Sequence, residues 1–213
     1  MCWSGSRRRT PTWATSECLL VDGPRVLVTP GGKLALMAAL DKHTGRTVWT
    51  SEPLRDDRAW HSSPLLFRHA GRRVVANCSS AYGFGVDADS GQLLWTVPLR
   101  SPYGVNVATP LYHAGRVFCM TPYVYGTCYR LQPQGAGFQP EQEWSTTLDT
   151  CTGTMLMLDS LLVGRGYKKH KSWPCPRDSI RPRPPVAAFL ARYGRGGREG
   201  GCFSSFFHSP PGI

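Results

Sequence analysis

The chain repeats itself with a period of 46 residues, and that period restricts its fold more than any other feature. Cys18, Pro64 and Pro110 each open an apolar run, followed by a tight polar turn and a second apolar run. The second runs read "PRVLVT", "RRVVAN" and "RVFCMT". A fourth copy, "TMLMLDSLLVG", follows at 154–164. A second motif keeps the same offset. "ALDKHTGRTVW" at 39–49 returns as "GVDADSGQLLW" at 85–95. Asp accepts hydrogen bonds from amides two residues on, and Gly supplies the positive φ that a tight reversal needs. With apolar residues on either side, each copy reads as a hairpin ending in a tryptophan. The third copy ends in Trp144, but its hairpin "LQPQGAGFQPEQEW" is longer and lacks the Asp.

Four short strands per period is the pattern of β-propeller blades, in which each sheet needs its neighbours to cover its apolar faces. Proline and glycine recur too often between 13 and 166 for a helix of more than a turn. The expected strands are 18–22, 25–29, 34–40 and 46–51 in the first repeat. In the second they are 64–68, 72–77, 80–87 and 92–97, and in the third 109–113, 116–120, 126–132 and 142–147. The expected fold is all-β, a partial propeller of three to four antiparallel blades.

The two Asp…Gly…Trp hairpins, with "SSPLLF" and "YGVNVATPLYHAGRVFC", resemble the repeat of the PQQ-like propellers (the pyrroloquinoline-quinone repeat). Quinoprotein dehydrogenases and an eight-bladed outer-membrane assembly lipoprotein share that repeat. The resemblance spans about 13–173. It implies a tryptophan-docking motif in which Trp49 and Trp95 pack against the next blade. Asp41, Gly45, Asp87 and Gly91 shape the turns, and Trp144 fits in part. The blades then occupy about 13–52, 60–98 and 106–147, with a partial one at 152–173.

The ends do not follow the repeat. The head, 1–12, is irregular, and the tail 174–213 is rich in Pro, Arg and Gly. Two readings of the tail stand: a reading-frame shift after Trp173, or genuine disorder. The shift is preferred, because "GYKKHKSW" just before it still reads as a blade strand. On that reading the chain is a truncated piece of a bacterial repeat protein.

The net charge of +11 would ordinarily suggest a nucleic-acid partner. Residues 13–166, however, hold 13 Lys and Arg against 12 Asp and Glu, a net of +1, and the flanks carry the rest. The aromatics sit at repeat-locked strand positions rather than on a basic face, so no nucleic-acid partner is expected. The eight cysteines include no C-x-x-C pair. Cys18 and Cys119 fall on core strands, where a free thiol behaves as a small hydrophobe. None are adjacent, unlike the pair that quinoprotein alcohol dehydrogenases place over their cofactor.

No Ser-His-Asp order, phosphate loop or metal-ligand cluster appears. His43 lies in a turn, and His113 aligns with Val21 or Asp22 of the first repeat. His61 follows the acidic pair Asp56 and Asp57 in a loop able to reach the propeller axis, as does Asn106. The basic head has no apolar stretch of signal-peptide length behind it, and Asp159 interrupts the longest apolar run, so no transmembrane segment is expected. The resemblance implies a periplasmic or secreted family. It favours a non-catalytic scaffold or interaction module with a protein partner or ligand on the propeller face. The alternative is a fragment of a PQQ-dependent dehydrogenase for an alcohol or sugar. In such an enzyme calcium, held by carboxylate and amide side chains, fixes the PQQ on the axis, and Asp56, Asp57, His61 and Asn106 are the loop candidates.

Overall fold

A computed structural model describes residues 16–55, 57–59, 61–122, 124–146, 154–158, 161–165 and 172–174. Three four-stranded antiparallel meanders follow one another along the chain. The first holds β1 (Leu20–Asp22), β2 (Arg25–Val28), β3 (Ala38–Asp41) and β4 (Thr47–Thr50). The second holds β5 (Leu65–His69), β6 (Arg72–Cys78), β7 (Tyr82–Asp87) and β8 (Leu93–Pro98). The third holds β9 (Leu111–His113), β10 (Arg116–Thr121), β11 (Tyr125–Gln134) and β12 (Gly137–Thr146). A three-stranded sheet closes the described part, with β13 (Leu156–Leu158), β14 (Leu161–Arg165) and β15 (Ser172–Pro174). No helix occurs among the described residues. The fold is an all-β partial propeller. The head and the tail beyond Pro174 lie outside the described residues, as do Asp56 and Trp60.

The alternation of side chains along a strand assigns each face to a different neighbour. On β6, Val75 joins Leu27, Trp49 and Phe84 in the core between the first two sheets. Val74, Ala76 and Cys78, one residue out of phase, join Val117, Cys119 and Leu131 in the core toward the third. On β10, Phe118 and Met120 turn the other way, toward Leu162 of the fourth sheet and Met155 just before its first strand. Hydrogen bonds between neighbouring sheets keep the sequence period. Cys18 N donates to Ser63 Oγ, Ser62 Oγ to Ala108 O and Thr109 N to Thr154 Oγ1, over separations of 45, 46 and 45 residues.

Two elements differ from the sequence expectation. The third strand of the first repeat starts at Ala38 rather than 34, and Leu34 lies exposed in the preceding loop. In the third repeat the ladder of β11 and β12 continues as far as Gln134 opposite Gly137, so the long hairpin is paired strand with a tight turn at Gly135. Pro140 fits because β12 is an edge strand, whose outward-facing positions need no ladder donor, and its partner Leu131 gives its amide to Gly115 O instead.

The meander places turns at two ends. The connections β1–β2 and β3–β4, with their counterparts, lie at one end. The β2–β3 type loops and the links between blades lie at the other.

Candidate functional site

At the first end the two Asp…Gly hairpins have one hydrogen-bond plan. Asp41 N donates to Arg46 O at 2.8 Å and Gly45 N to Asp41 O at 2.8 Å. Asp41 Oδ1 accepts the amides of His43 and Thr44 and the Thr44 hydroxyl, at 3.0, 2.7 and 2.8 Å. Asp87 repeats this: its Oδ1 accepts Asp89 N, Ser90 N and Ser90 Oγ, each at 3.0 Å, and Gly91 N donates to Asp87 O at 2.9 Å. The bonds from Thr44 hold the Asp41 carboxyl below its usual value. Gly45 and Gly91 have φ of 71 and 78°, where a side chain is strained.

Behind each turn the ladder is bulged by one residue, and the tryptophan follows the bulge. Trp49 pairs with Ala39, Trp95 with Gly85 and Trp144 with Cys128. A bulge re-aims the side chain next to it. Trp49 lies over the second blade's hairpin: its Nε1 donates to Ala88 O at 3.2 Å. A Cβ added to Gly91 would fall 2.5 Å from the Trp49 ring, so only glycine leaves room for the indole.

The surroundings of Trp95 differ. It is 3% exposed, lies across Gly85 of its own sheet, and its Nε1 is buried with no hydrogen-bond partner. The carbonyl equivalent to Ala88 O is Leu131 O, and His69 Nε2 occupies it at 3.0 Å. His69 Nδ1 lies 3.1 Å from Tyr112 Oη, and Phe67 stacks on Tyr112 with centroids 4.0 Å apart. Trp144 packs on Phe118 at 5.4 Å, beside a small apolar cleft with Leu111, His113, Met157 and Leu162.

A charged cluster that the sequence did not reveal binds the first two sheets together. Arg25 contacts Asp22 and Asp89, each at 2.9 Å; Arg73 contacts Asp89 at 2.7 Å and also pairs with Asp22. The bond from Arg25 keeps the Asp89 carboxyl below its ordinary value. Arg25 and Asp89 stand a full repeat and more apart, so no local motif exposes the pairing.

The described loop candidates, Asp57, His61 and Asn106, lie at the opposite end. Asp57 is buried and surrounded by donors: the hydroxyls of Ser79 and Ser80, Ala81 N at 3.1 Å and Arg58 N at 2.9 Å. Asn106 is fully buried. Its Nδ2 donates to Ser79 O at 2.7 Å and Ser80 O at 3.2 Å, while its Oδ1 has no partner. Asp57 and Asn106 thus converge on one turn, 79–81, and tie the adjoining links to it. His61 Nδ1 lies 3.0 Å from Ser16 Oγ, away from that turn's hydrogen bonds. His43 is exposed in its turn, and His113 sits opposite Arg116. A second buried cluster, also missed, joins Thr29, Asn77 and Glu17: Asn77 Nδ2 donates to Thr29 Oγ1 at 2.8 Å and to Glu17 at 3.1 Å.

Among the described residues, the carboxylate and amide candidates Asp57 and Asn106 do not fit a calcium-held quinone. Calcium takes roughly six to eight oxygens. Here both Asp57 oxygens accept protein donors and the Asn106 nitrogen faces carbonyls, leaving Asn106 Oδ1. Among the described residues no three His, Cys, Asp or Glu side chains are grouped to hold a metal ion.

The sequence and the fold both have relatives. A family model described as outer membrane protein assembly factor BamB matches residues 7–167. The crystal structure of BamB from Moraxella catarrhalis is similar in fold, with a TM-score of 0.55 at 14% identity. The match covers 76% of this chain and 48% of that one, so the chain spans about half the length of the solved relative. No curated protein is significantly similar in sequence. With three successive meanders, a bulge before Trp49, Trp95 and Trp144, and a family match over three quarters of its length, the chain belongs to the BamB-like family of PQQ-repeat β-propellers.

Proposed function

We propose that this chain is a non-catalytic propeller segment that serves as a scaffold or interaction module. Its partner is a protein, and its place is the periplasmic side of an outer membrane. The family description, an outer-membrane protein assembly factor, supports the kind of partner and the compartment. In this reading Trp49, Trp95 and Trp144 are inter-blade staples. Asp41, Gly45, Asp87 and Gly91 build the turns that receive or precede them. The observation that carries the reading is how Asp57 and Asn106 are employed. Two of the loop candidates for a cofactor site, Asp57 and Asn106, are committed to hydroxyl, amide and carbonyl partners of one turn. The same end exposes Leu34 and Tyr103, apolar side chains that a protein partner can cover.

Two measurements on the full chain test this together. In one, a fluorescently labelled outer-membrane β-barrel polypeptide is diluted from urea into the protein and followed by anisotropy. In the other, PQQ and Ca²⁺ are added with an alcohol or sugar and a redox dye. Saturable binding of the polypeptide without dye reduction is expected. Dye reduction that needs both PQQ and Ca²⁺ would overturn the reading in favour of a dehydrogenase. Failure to bind the polypeptide would remove the interaction role.

A further inference from the structure

The interface between the second and third blades contains two thiols that face each other. Cys78 ends β6, and its ladder partner on β7 is Gly83. Directly opposed residues of an antiparallel pair have Cβ positions about 4.5–5.5 Å apart. Cys119 comes from β10 of the next sheet, and a Cβ on Gly83 would fall 2.9 Å from its sulfur. The Cys119 sulfur therefore fills the space that Gly83 leaves beside Cys78. Both side chains belong to the same core, 1% and 0% exposed. Cys128 lies in the other core, toward the fourth sheet, and Cys18 is exposed at the start of the first sheet.

We propose that Cys78 and Cys119 form a disulfide site that locks the second blade to the third in an oxidising thiol–disulfide pool. The two cysteines are 41 positions apart in sequence, so the bond would close a long loop across two blades. The oxidant is a small disulfide. One cysteine thiolate attacks a sulfur of that disulfide, forming a mixed disulfide and expelling one small thiolate. The second cysteine thiolate then attacks the protein sulfur of the mixed disulfide and expels the other. The two cysteine protons end on the two released thiols, and the two electrons lost by the protein reduce the external bond.

The closed interface also sets when this happens. The hydrogen bond with Cys78, together with burial, holds the Cys119 thiol well above its ordinary value. Thiolate is the reactive form, so the folded, reduced interface is inert. The mixed disulfide therefore forms while the blades are still apart, during folding, and the second cysteine closes the bond as the two sheets meet.

The test uses the full chain, unfolded in urea with reductant and refolded by dilution into a reduced and oxidised glutathione pair. Free thiols are alkylated in urea, and the protein is digested without reduction and mapped by mass spectrometry. Trypsin leaves Cys119 and Cys128 in one peptide, 117–130, so a second digestion with chymotrypsin, cutting at Tyr125, separates them. The expected product joins the Cys78 peptide to the Cys119 peptide, with a mass lower by two hydrogens than the reduced pair. Reductant should then lower the urea midpoint of the wild type and leave those of Cys78→Ala and Cys119→Ala unmoved. Alkylation of both residues after refolding, or linkage of either one to another cysteine, would overturn the proposal. The mapping needs only the wild-type chain, so it decides the matter even if the variants do not fold.

Discussion

The first and second blades meet differently from the second and third, although the same repeat builds both junctions. At the first junction Trp49 Nε1 donates to Ala88 O, and two arginines and two aspartates close a ring of ion pairs at the rim. At the second, His69 takes the equivalent carbonyl, Phe67 and Tyr112 stack, and the Trp95 indole nitrogen is buried unpartnered. What is common is the apolar fit; what varies is which polar group reaches the carbonyl. The repeat therefore specifies the packing of an indole after a bulge. The first hairpin of the first blade presents Arg25, which shares Ala88 O with Trp49 at the first junction, and that of the second presents His69, which takes Leu131 O alone at the second.

Single substitutions test the two junctions separately. Removing the whole side chain should erase their contrast: Trp49→Ala and Trp95→Ala should each cost about 3–5 kcal/mol, because both rings fill a core. His61→Ala, in a loop, should stay within about 0.5 kcal/mol. Near-equal urea midpoints for Trp95→Ala and His61→Ala would contradict the packing role. A smaller effect is expected from glycines at similar φ. Gly91→Ala meets the Trp49 ring, whereas Gly71→Ala meets nothing within 4 Å. The Gly71 change should cost only the backbone strain of about 1–2 kcal/mol, and the Gly91 change should cost clearly more. Equal losses would mean that the indole does not rest on Gly91.

The indole nitrogens separate the junctions more finely. Trp49→Phe gives up a hydrogen bond and leaves Ala88 O with one donor fewer. Trp95→Phe removes a buried group that had no partner. The first should therefore be the costlier by about 1 kcal/mol in denaturant unfolding. The reverse order would point to an unseen partner for Trp95.

The ion pairs should contribute least. The Asp89 side chain is 56% exposed, so Asp89→Asn should cost well under about 1 kcal/mol, and less in high salt. Its folded pKa is lowered, so whatever it contributes is present above the unfolded value of about 3.9 and is lost as pH falls through the lower folded value. A titration of stability from pH 7 to 3 should show this loss in the wild type and a smaller one in Asp89→Asn.

The fold was legible because its signals are local or strictly periodic. An Asp and a Gly four residues apart write the hairpin, and the tryptophan four residues later carries the period. The third hairpin was harder to read because Pro133 and Pro140 interrupt what is in fact a continuous ladder. The bulge shifts the ladder behind Trp144 as it does behind Trp49, and no residue type announces a bulge. The loop candidates were legible in kind but not in partnership. Asp57 reads as an acid near an axis, yet its donors include Ser79 and Ser80, two serines ordinary in sequence. The ring of Arg25, Arg73, Asp22 and Asp89, like the facing of Cys78 and Cys119, joins residues of different blades. Such pairs become visible only when the sheets are stacked.

Trp49 of one blade rests on Gly91 of the next, and a double-mutant cycle measures that contact. Stability is taken from urea unfolding of the full wild-type chain, Trp49→Ala, Gly91→Ala and the double variant. If the indole occupies the space that a Cβ on Gly91 would need, Gly91→Ala should cost less once the indole is gone. The coupling should then be at least about 1 kcal/mol. Additive losses, equal to within about 0.5 kcal/mol, would contradict the contact and with it the account of how these blades are joined.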